Sequence, residues 1–247
     1  MPDDIRLSQA QVAEFAQRGF LLIPRAVPGE LVAAGTRVID RMAERRPPGP
    51  DVRGPHNYFP AAERVPALAA LLTGSPAWSL AESLTGPGTL EAPGQVQAVL
   101  NIPPYPQQPG MHHLDGFPAE PDGRPGTFTL LAGVLMSDQL DEDAGNLWVW
   151  PGTHLTHAAY FREHGPDAFL AAGGYPPIPL PEPEQIRGRA GDLLLAHYLL
   201  GHNIGGNTSR AVRRAVYFRV KRTGHDPRWR EFLQDPWLDY DAVRTAA

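Results

Sequence analysis

The sequence predicts an α+β fold, with a helical N-terminal part at about residues 1–87 and a β-rich jelly-roll core at about 88–222. Apolar residues recur with helical spacing in the first part, and short apolar segments separated by turn residues follow in the second. Glycine and proline, 25 and 28 of 247 residues, are spread along the chain, which is typical of short strands joined by turns. We expect a single domain over 1–247, with a C-terminal tail at 223–247.

Local signals define the elements of the helical part. Ser8 is suited to N-cap a first helix that Gly19 ends, and Pro28 is suited to open a second helix. Residues 46–60 are rich in proline, glycine and aspartate, as loops are. The predicted elements are a helix at 7–18, a strand at 20–23, a helix at 28–45, a loop at 46–60 and a helical segment at 63–85 broken around 74–76.

The β-rich part consists of short apolar segments bounded by turn residues. Because helices come first and a run of strands follows, we expect the strands to close as a jelly roll. The segment 158–184 is predicted to be a long excursion over the mouth of the barrel, where functional loops concentrate. Strands are predicted at 95–102, 127–136, 146–150, 185–189, 191–196 and 212–220.

The composition excludes several classes of function. The formal net charge is −5, the sequence pI is about 6.0 and no stripe of lysine and arginine stands out, so nucleic acid is not an expected partner. The chain has no cysteine, which removes disulfides, thiolate metal sites and cysteine nucleophiles. No apolar run approaches the roughly 18 residues of a membrane span. We therefore expect a cytoplasmic protein that acts on a small molecule and not at a membrane.

Residues 110–116, GMHHLDG, contain a candidate metal motif. On an extended chain residues i and i+2 point to the same side, so His113 and Asp115 present an imidazole and a carboxylate together. His202 lies 87 residues after Asp115, just beyond an apolar strand, and completes a set of two histidines and one carboxylate. Such a set on one face of an iron ion leaves the opposite positions open for a co-substrate and oxygen.

A candidate anion-binding arginine follows the second histidine. Arg213 lies eleven residues after His202, in a segment that alternates as a strand. A dicarboxylate bound to iron at one end needs a fixed cation at the other, and an arginine fork, which cannot lose its charge, is better suited than lysine. Arg213 shares a strand face with Ala215 and Tyr217, whereas Arg214 lies on the opposite face and is predicted to be solvated.

Five segments occur in an order that is characteristic of one family. They are residues 7–28, NIPP at 101–104, HLDG at 113–116, DEDAGNLWVWPGTH at 141–154 and GDLLLAHYLLGHNIGGNTSRAVRRA at 191–215. In this order they resemble the N-terminal helix–strand–helix, the strand before the metal motif, the motif itself, the acidic turn and the distal ligand strand of the phytanoyl-CoA dioxygenase family of iron(II)/2-oxoglutarate oxygenases. The resemblance covers most of the chain.

The resemblance implies a cupin-like double-stranded β-helix that binds Fe(II) and uses 2-oxoglutarate and O2. The implied iron ligands are His113, Asp115 and His202. Arg213 is implied to hold the far carboxylate of 2-oxoglutarate, and Asn101 and Gln97, on the strand before the motif, are predicted to contact the co-substrate. The implied reaction is hydroxylation of an unactivated C–H bond of a small or medium-sized metabolite, with release of succinate and CO2.

Two other histidines are alternatives as metal ligands. His112 has no carboxylate two residues after it, which disfavours it as the first ligand. His197 competes with His202, and the spacing to Arg213 favours His202. His154 is predicted to be structural, within a tight turn. The histidines predicted to lie at the surface or in loops are His56, His157, His164 and His225.

The chain departs from the family pattern at Ile204, where relatives often carry a hydroxyl that helps to hold 2-oxoglutarate. Two alternatives are open: packing holds the co-substrate instead, or Thr129 or Tyr217 supplies the hydroxyl. Asp115 favours hydroxylation or a related oxidation, because relatives that halogenate replace this carboxylate with a small residue. Arg124 is predicted to be the nearest cation to the mouth of the barrel. The residues predicted to line the mouth are Gln97, Tyr105, Phe117, Trp148 and Tyr160.

Two alternatives to an oxygenase remain. The chain is compatible with a jelly-roll metalloenzyme that does not use 2-oxoglutarate, such as an isomerase or a dioxygenase that cleaves its substrate directly. It is also compatible with a catalytically silent binding module that keeps the fold. A three-histidine or glutamate-rich ligand set would favour the first, and none is apparent. The intact ligand set and Arg213 argue against the second.

Overall fold

Two antiparallel β-sheets form the centre of the fold. The structure is a computed structural model that describes residues 5–108 and 110–246, so the ends of the predicted domain, 1–4 and 247, lie outside the described residues. The strands are β1 (Phe20–Ile23), β2 (Gly54–Tyr58), β3 (Gln97–Ile102), β4 (Leu130–Leu135), β5 (Leu147–Val149), β6 (Glu184–Gln185), β7 (Leu193–His197), β8 (His202–Ile204) and β9 (Arg213–Val220). The larger sheet has the order β1-β7-β4-β9-β3-β2 and the smaller the order β6-β5-β8.

Helices precede and follow the strands along the chain, and two more lie between β5 and β6. They are α1 (Gln9–Arg18), α2 (Gly29–Arg45), α3 (Pro66–Thr73), α4 (Pro76–Thr85), α5 (Thr153–His164), α6 (Ala168–Ala172), α7 (Trp229–Gln234) and α8 (Asp241–Ala246). Helix α8 packs against α1 and α4, so the C-terminal tail returns to the N-terminal helices. The predicted α+β class is confirmed. Among the described residues, no helix combines the length and the apolar character that crossing a membrane requires.

Ser8 and Gly19 define the ends of α1, as the sequence predicts. The Ser8 hydroxyl accepts a hydrogen bond from the Gln11 N–H (3.2 Å), and the Gln11 side chain accepts one from the Ser8 N–H (2.9 Å), which is a capping box. Gly19 has a φ of 81°, the left-handed conformation that commonly ends helices. The next two predicted elements, strand β1 and helix α2, also form.

The predicted loop at 46–60 is wrong in its last part, which forms strand β2. Proline and glycine disfavour a central strand, but β2 lies at the edge of the larger sheet and pairs only with β3. On an edge strand the missing N–H of Pro55 leaves no partner strand unsatisfied. The edge position therefore allows a loop-like sequence to form a strand, and it brings Pro55 and Asn57 to the cavity described below.

The predicted excursion at 158–184 is wrong in its first part, because α5 continues to His164 and α6 follows. The later coil does approach the candidate metal motif, since the Leu114 N–H donates a hydrogen bond to the Gly174 carbonyl (2.7 Å). Strand β8 was not predicted, because three residues are too few to show an alternating pattern.

Buried histidines attach α5 to the sheets and to α1. His157, predicted to be a surface residue, is fully buried, and its Nδ1 donates to the Leu199 carbonyl (2.7 Å). Its Nε2 therefore accepts from the Nε2 of His112, 2.9 Å away. His154, predicted to be structural within a tight turn, is buried in the first turn of α5, and its Nε2 donates to the Ala16 carbonyl (3.1 Å). Burial lowers the pKa of His154 to about 4, and burial with the neighbouring His112 lowers that of His157 to about 3.

The lowered pKa values of these two histidines predict that the protein loses stability in mild acid. Their folded-state pKa values lie below the value of about 6.5 for an exposed imidazole, so the unfolded chain takes up protons first as the pH falls. Their contribution to stability is complete above pH 6.5 and decreases as the pH falls toward 4. We expect the thermal unfolding midpoint to fall between pH 7.5 and pH 5. His157→Gln should make that fall shallower, whereas His164→Gln, at an exposed position, should leave it unchanged. A midpoint independent of pH would contradict the assignment.

The C-terminal tail is held by a buried polar cluster. His225, predicted to be a loop residue, is buried, and its Nδ1 lies 2.6 Å from Oδ2 of Asp239. The Thr129 hydroxyl donates to the same carboxylate (2.7 Å), and the Thr127 hydroxyl lies 3.0 Å from Nε2 of His225. The tail is therefore joined to the start of β4 by hydrogen bonds that water cannot reach.

Candidate metal centre

His113, Asp115 and His202 come together at the junction of the two sheets. His113 and His202 form an isolated antiparallel bridge, in which each backbone N–H donates to the other residue's carbonyl (3.0 and 3.3 Å). Their ring centroids are 4.6 Å apart. One potential ligand atom from each of the three side chains lies within 4.8 Å of those of the other two, and this is the one such group among the residues that the structure describes.

The orientation of Asp115 follows from the i+2 alternation that the sequence indicates. Leu114 is buried in the core, and Asp115 points to the side of His113, with its Oδ1 3.8 Å from Nε2 of that histidine. The Asp115 Oδ2 lies 3.9 Å from Nε2 of His202. The Tyr198 hydroxyl donates to the Asp115 carbonyl (2.8 Å), which fixes the backbone here.

The two alternative histidines lie elsewhere. The His112 ring faces His157 and is buried on the other side of the motif from Asp115. His197 is fully engaged, because its Nε2 donates to the Pro236 carbonyl (2.7 Å) and its Nδ1 accepts from the Leu199 N–H (2.9 Å). Neither belongs to the group formed by the other three side chains.

The protonation of the three side chains suits a metal ion. Burial, with His202 nearby, lowers the pKa of His113 to about 4 against the opposing effect of Asp115, so its imidazole is neutral at neutral pH. The Nδ1 of His202 donates to the Leu200 carbonyl (3.0 Å), which leaves the lone pair on its Nε2, the atom that faces Asp115. Burial alone would raise the pKa of Asp115, but the Arg219 guanidinium and the two histidines outweigh it and lower that pKa.

A cavity of about 220 Å³ opens beside the three side chains. Its wall combines apolar side chains with a few polar groups, as small-molecule sites do. Apart from the three, the lining residues are Pro55, Asn57, Gln97, Val99, Leu131, Leu147, Asn203, Ile204, Tyr217 and Arg219. A larger cavity, of about 690 Å³, lies between α1, α4 and α8, but its lining includes no histidine and none of the candidate ligands, so we assign the chemistry to the smaller one.

Arg213 lies buried behind the wall of this cavity. Its Nε donates to Oε1 of Gln139 (2.8 Å) and its Nη2 to the hydroxyl of Tyr217 (2.7 Å), which is itself a lining residue. Its Nη1 is buried without a hydrogen-bond partner in the described part of the chain, as is the Nε2 of Gln139. Two unpartnered donors, one of them permanently charged, suit the carboxylate of an organic acid.

The other two residues predicted to contact the co-substrate, Asn101 and Gln97, lie in different surroundings. Asn101 pairs in register with Arg213 and is fully buried, and its Nδ2 donates to the Gly205 carbonyl (2.9 Å) while its Oδ1 has no described partner. Gln97 lines the cavity, but its amide is engaged by Asn57 and Arg219. It therefore faces the cavity from the side of Asp115.

Of the two residues predicted to replace the missing hydroxyl at Ile204, the structure favours Tyr217. The Thr129 hydroxyl is committed to Asp239 and does not reach the cavity, whereas the Tyr217 hydroxyl touches Arg213. The predicted mouth residues other than Gln97 are not among the lining residues either.

The sequence reasoning missed Arg219, which is the cation of the cavity. Arg124, predicted to be the nearest cation, is paired with Asp122 (2.9 Å) and Asp226 (3.1 Å) away from the site. Arg219 lies six residues after Arg213 on β9, and this even spacing places both on one face of the strand. The sequence could therefore have indicated Arg219 as a site residue through its even spacing from Arg213.

The sequence matches a family model over most of its length. The model of the phytanoyl-CoA dioxygenase family (PhyH) matches residues 15–215. No curated protein matches the sequence. The candidate ligands His113, Asp115 and His202 and the buried Arg213 all lie within the matched range.

Several solved structures are similar to this chain. HygX from Streptomyces hygroscopicus, with nickel and 2-oxoglutarate bound, has a TM-score of 0.63 at 18% identity, over 89% of each chain. EctD from S. alaskensis has a TM-score of 0.61 at 18% identity, over 90% of this chain and 79% of its own. SnoK, a non-heme alpha ketoglutarate dependent carbocyclase from nogalamycin biosynthesis, has a TM-score of 0.59 at 21% identity, over 90% of each chain. At these identities the likeness shows the fold alone, and it confirms the predicted cupin-like jelly roll.

Since the family model spans most of the chain, the protein belongs to the phytanoyl-CoA dioxygenase (PhyH) family, and the predicted class of enzyme, a non-haem Fe(II)/2-oxoglutarate-dependent oxygenase, is confirmed.

Proposed function

We propose that this enzyme binds Fe(II) through His113, Asp115 and His202 and hydroxylates a C–H bond of a small or medium-sized metabolite. The observation that carries the proposal is the meeting of these three side chains beside a cavity, although the sequence separates them by up to 89 positions. Two imidazoles and one carboxylate are a ligand set suited to Fe(II). The three would occupy one face of the ion and leave the cavity side open.

Arg213 is proposed to hold the far carboxylate of 2-oxoglutarate. Its unpartnered Nη1 and the neighbouring Nε2 of Gln139 would donate to that carboxylate, and the Tyr217 hydroxyl would keep the guanidinium oriented toward the cavity. The apolar wall formed by Val99, Leu131 and Leu147 would exclude water from the reacting atoms.

When bound together, iron and 2-oxoglutarate supply the oxidising chemistry, in which O2 is reduced, 2-oxoglutarate is decarboxylated to succinate and CO2, and a substrate C–H bond is oxidised. The contribution of the protein is to orient the reactants and keep the site dry. The cavity of about 220 Å³ favours a small organic substrate over a macromolecule.

The structures that are similar to this chain support a small-molecule substrate and widen the range of outcomes. One HygX structure contains hygromycin B, and one EctD structure contains 5-hydroxyectoine. SnoK is a carbocyclase, and SnoN, also from nogalamycin biosynthesis, is an epimerase. Ring closure and epimerisation are therefore the alternatives to hydroxylation.

The test is succinate formation by the purified protein with Fe(II), 2-oxoglutarate and a panel of metabolites in air. We expect succinate above the background without enzyme, and none when oxygen is excluded. Mass analysis of the consumed metabolite distinguishes the outcomes, since hydroxylation adds one oxygen atom, ring closure removes two hydrogens and epimerisation leaves the mass unchanged. An isomerase or a silent binding module would consume no 2-oxoglutarate with any metabolite.

A further inference from the structure

One side chain of the cavity engages the candidate metal ligand directly. The Nε of Arg219 donates a hydrogen bond to the Oδ2 of Asp115 (3.1 Å), and its Nη2 lies 2.9 Å from the same oxygen. Each oxygen lies near one candidate ligand, Oδ1 3.8 Å from Nε2 of His113 and Oδ2 3.9 Å from Nε2 of His202, but Oδ1 accepts no hydrogen bond from this guanidinium. The two oxygens of Asp115 are therefore in different environments.

Arg219 is itself held in place by its surroundings. Its Nη1 donates to Oε1 of Gln97 (2.8 Å), and the amide nitrogen of Gln97 donates to Oδ1 of Asn57 (3.1 Å). Its guanidinium carbon lies 5.8 Å from the centre of the Phe128 ring. A row of hydrogen bonds thus runs from the edge strand β2 through β3 and β9 to Asp115, along the wall of the cavity.

We infer that Arg219 is a positioning residue that makes Asp115 a one-oxygen ligand, by holding Oδ2 and leaving Oδ1 for the metal ion. Arg219 faces Oδ2 with two nitrogens of its rigid, planar fork, which fixes this oxygen in direction as well as by charge; the flexible ammonium of a lysine would not. The inference rests on the proposed metal centre and adds to it a role for a residue outside the ligand set. Gln97 and Asn57 act one step further away, by keeping the guanidinium in this orientation.

Orientation and simple charge make opposite predictions for metal affinity. If Arg219 were only a positive charge beside the site, its removal would relieve repulsion and tighten the binding of a divalent cation. If it orients Asp115, its removal will weaken binding, because partners of metal ligands typically contribute about 10-fold to 100-fold in affinity or activity. The sign of the change therefore separates the two.

The experiment measures Mn²⁺ binding by calorimetry without 2-oxoglutarate, so that the readout does not depend on turnover. The variants are Arg219→Gln, Arg219→Lys and a matched control, Arg214→Gln. Arg214 is on the same strand and its side chain is 33% exposed, compared with 34% for Arg219, but it pairs with Asp40 (3.1 Å) on the opposite face. Thermal unfolding of each variant reports separately on the fold.

We expect Arg219→Gln to weaken Mn²⁺ binding about 10-fold or more, and the control to bind as the wild type does. Arg219→Lys keeps the charge and most of the side chain, so weaker binding at an unchanged unfolding temperature shows the effect of losing the fork. Unchanged or tighter binding in a folded Arg219→Gln variant overturns the inference and leaves the proposed metal centre intact. Absence of Mn²⁺ binding in the wild type overturns the metal centre itself.

Discussion

Replacing Asp115 with alanine will abolish succinate formation. The carboxylate is the one anionic member of the candidate ligand set, and its loss leaves only two imidazoles to hold a divalent ion. It also leaves the Arg219 guanidinium, now unpaired, facing the place of the ion. We expect the rate of succinate formation to fall at least about 100-fold, since even partners outside the ligand set contribute up to that much.

A matched variant tests whether the loss is specific to the metal. Asp40→Ala removes another carboxylate that is paired with a β9 arginine, at 3.1 Å from Arg214 and away from the cavity. It should keep the wild-type rate of succinate formation and the wild-type affinity for Mn²⁺. Full activity in Asp115→Ala would show that the ligand assignment is incorrect.

Replacing Arg213 with alanine will raise the concentration of 2-oxoglutarate needed for half-maximal turnover. Truncating one partner of a buried, charged hydrogen-bonded pair costs about 2–5 kcal/mol, so an increase on the order of 100-fold is expected. The maximal rate at saturating 2-oxoglutarate should change much less, because Arg213 is behind the wall and not among the candidate iron ligands.

Metal binding separates this effect from a general loss of structure. Arg213→Ala removes the donor to Gln139 and Tyr217, so a lower unfolding temperature is expected along with the kinetic change. Mn²⁺ affinity in the absence of 2-oxoglutarate should nevertheless match that of the wild type. Arg213→Lys, which keeps the charge without the fork, should need an intermediate concentration of 2-oxoglutarate. An unchanged requirement for 2-oxoglutarate in both variants would place the co-substrate elsewhere.

Local rules were sufficient for the elements and residues that depend on near neighbours. The capping box of α1 involves residues three positions apart, and the shared direction of His113 and Asp115 requires only two. The position of Arg213 in a buried strand follows from alternation along β9. In each case the interaction that decides the structure lies within a few positions of the chain.

The sequence predictions failed where residues distant in the chain determine the local structure. The segment that forms β2 has the composition of a loop, and only its place at the sheet edge makes it a strand. His157 and His225 carry a polar ring that is usually exposed, and each is buried beside a hydrogen-bond partner outside its own segment, the Leu199 carbonyl 42 positions away and the Asp239 carboxylate 14 positions away. The even spacing of Arg219 from Arg213 indicates the face of β9 on which it lies, but not its partner Asp115, which is 104 positions away.

The backbone bridge between His113 and His202 holds the two imidazoles together independently of a metal ion. Reciprocal backbone hydrogen bonds join these residues directly. The conformational entropy of bringing the two segments together is therefore lost when the chain folds and not when the ion binds. In zinc fingers the ion itself drives the chain to fold. Here the two imidazoles are preorganised, and the apoprotein is expected to be a stable, folded species that takes up and exchanges its ion without unfolding.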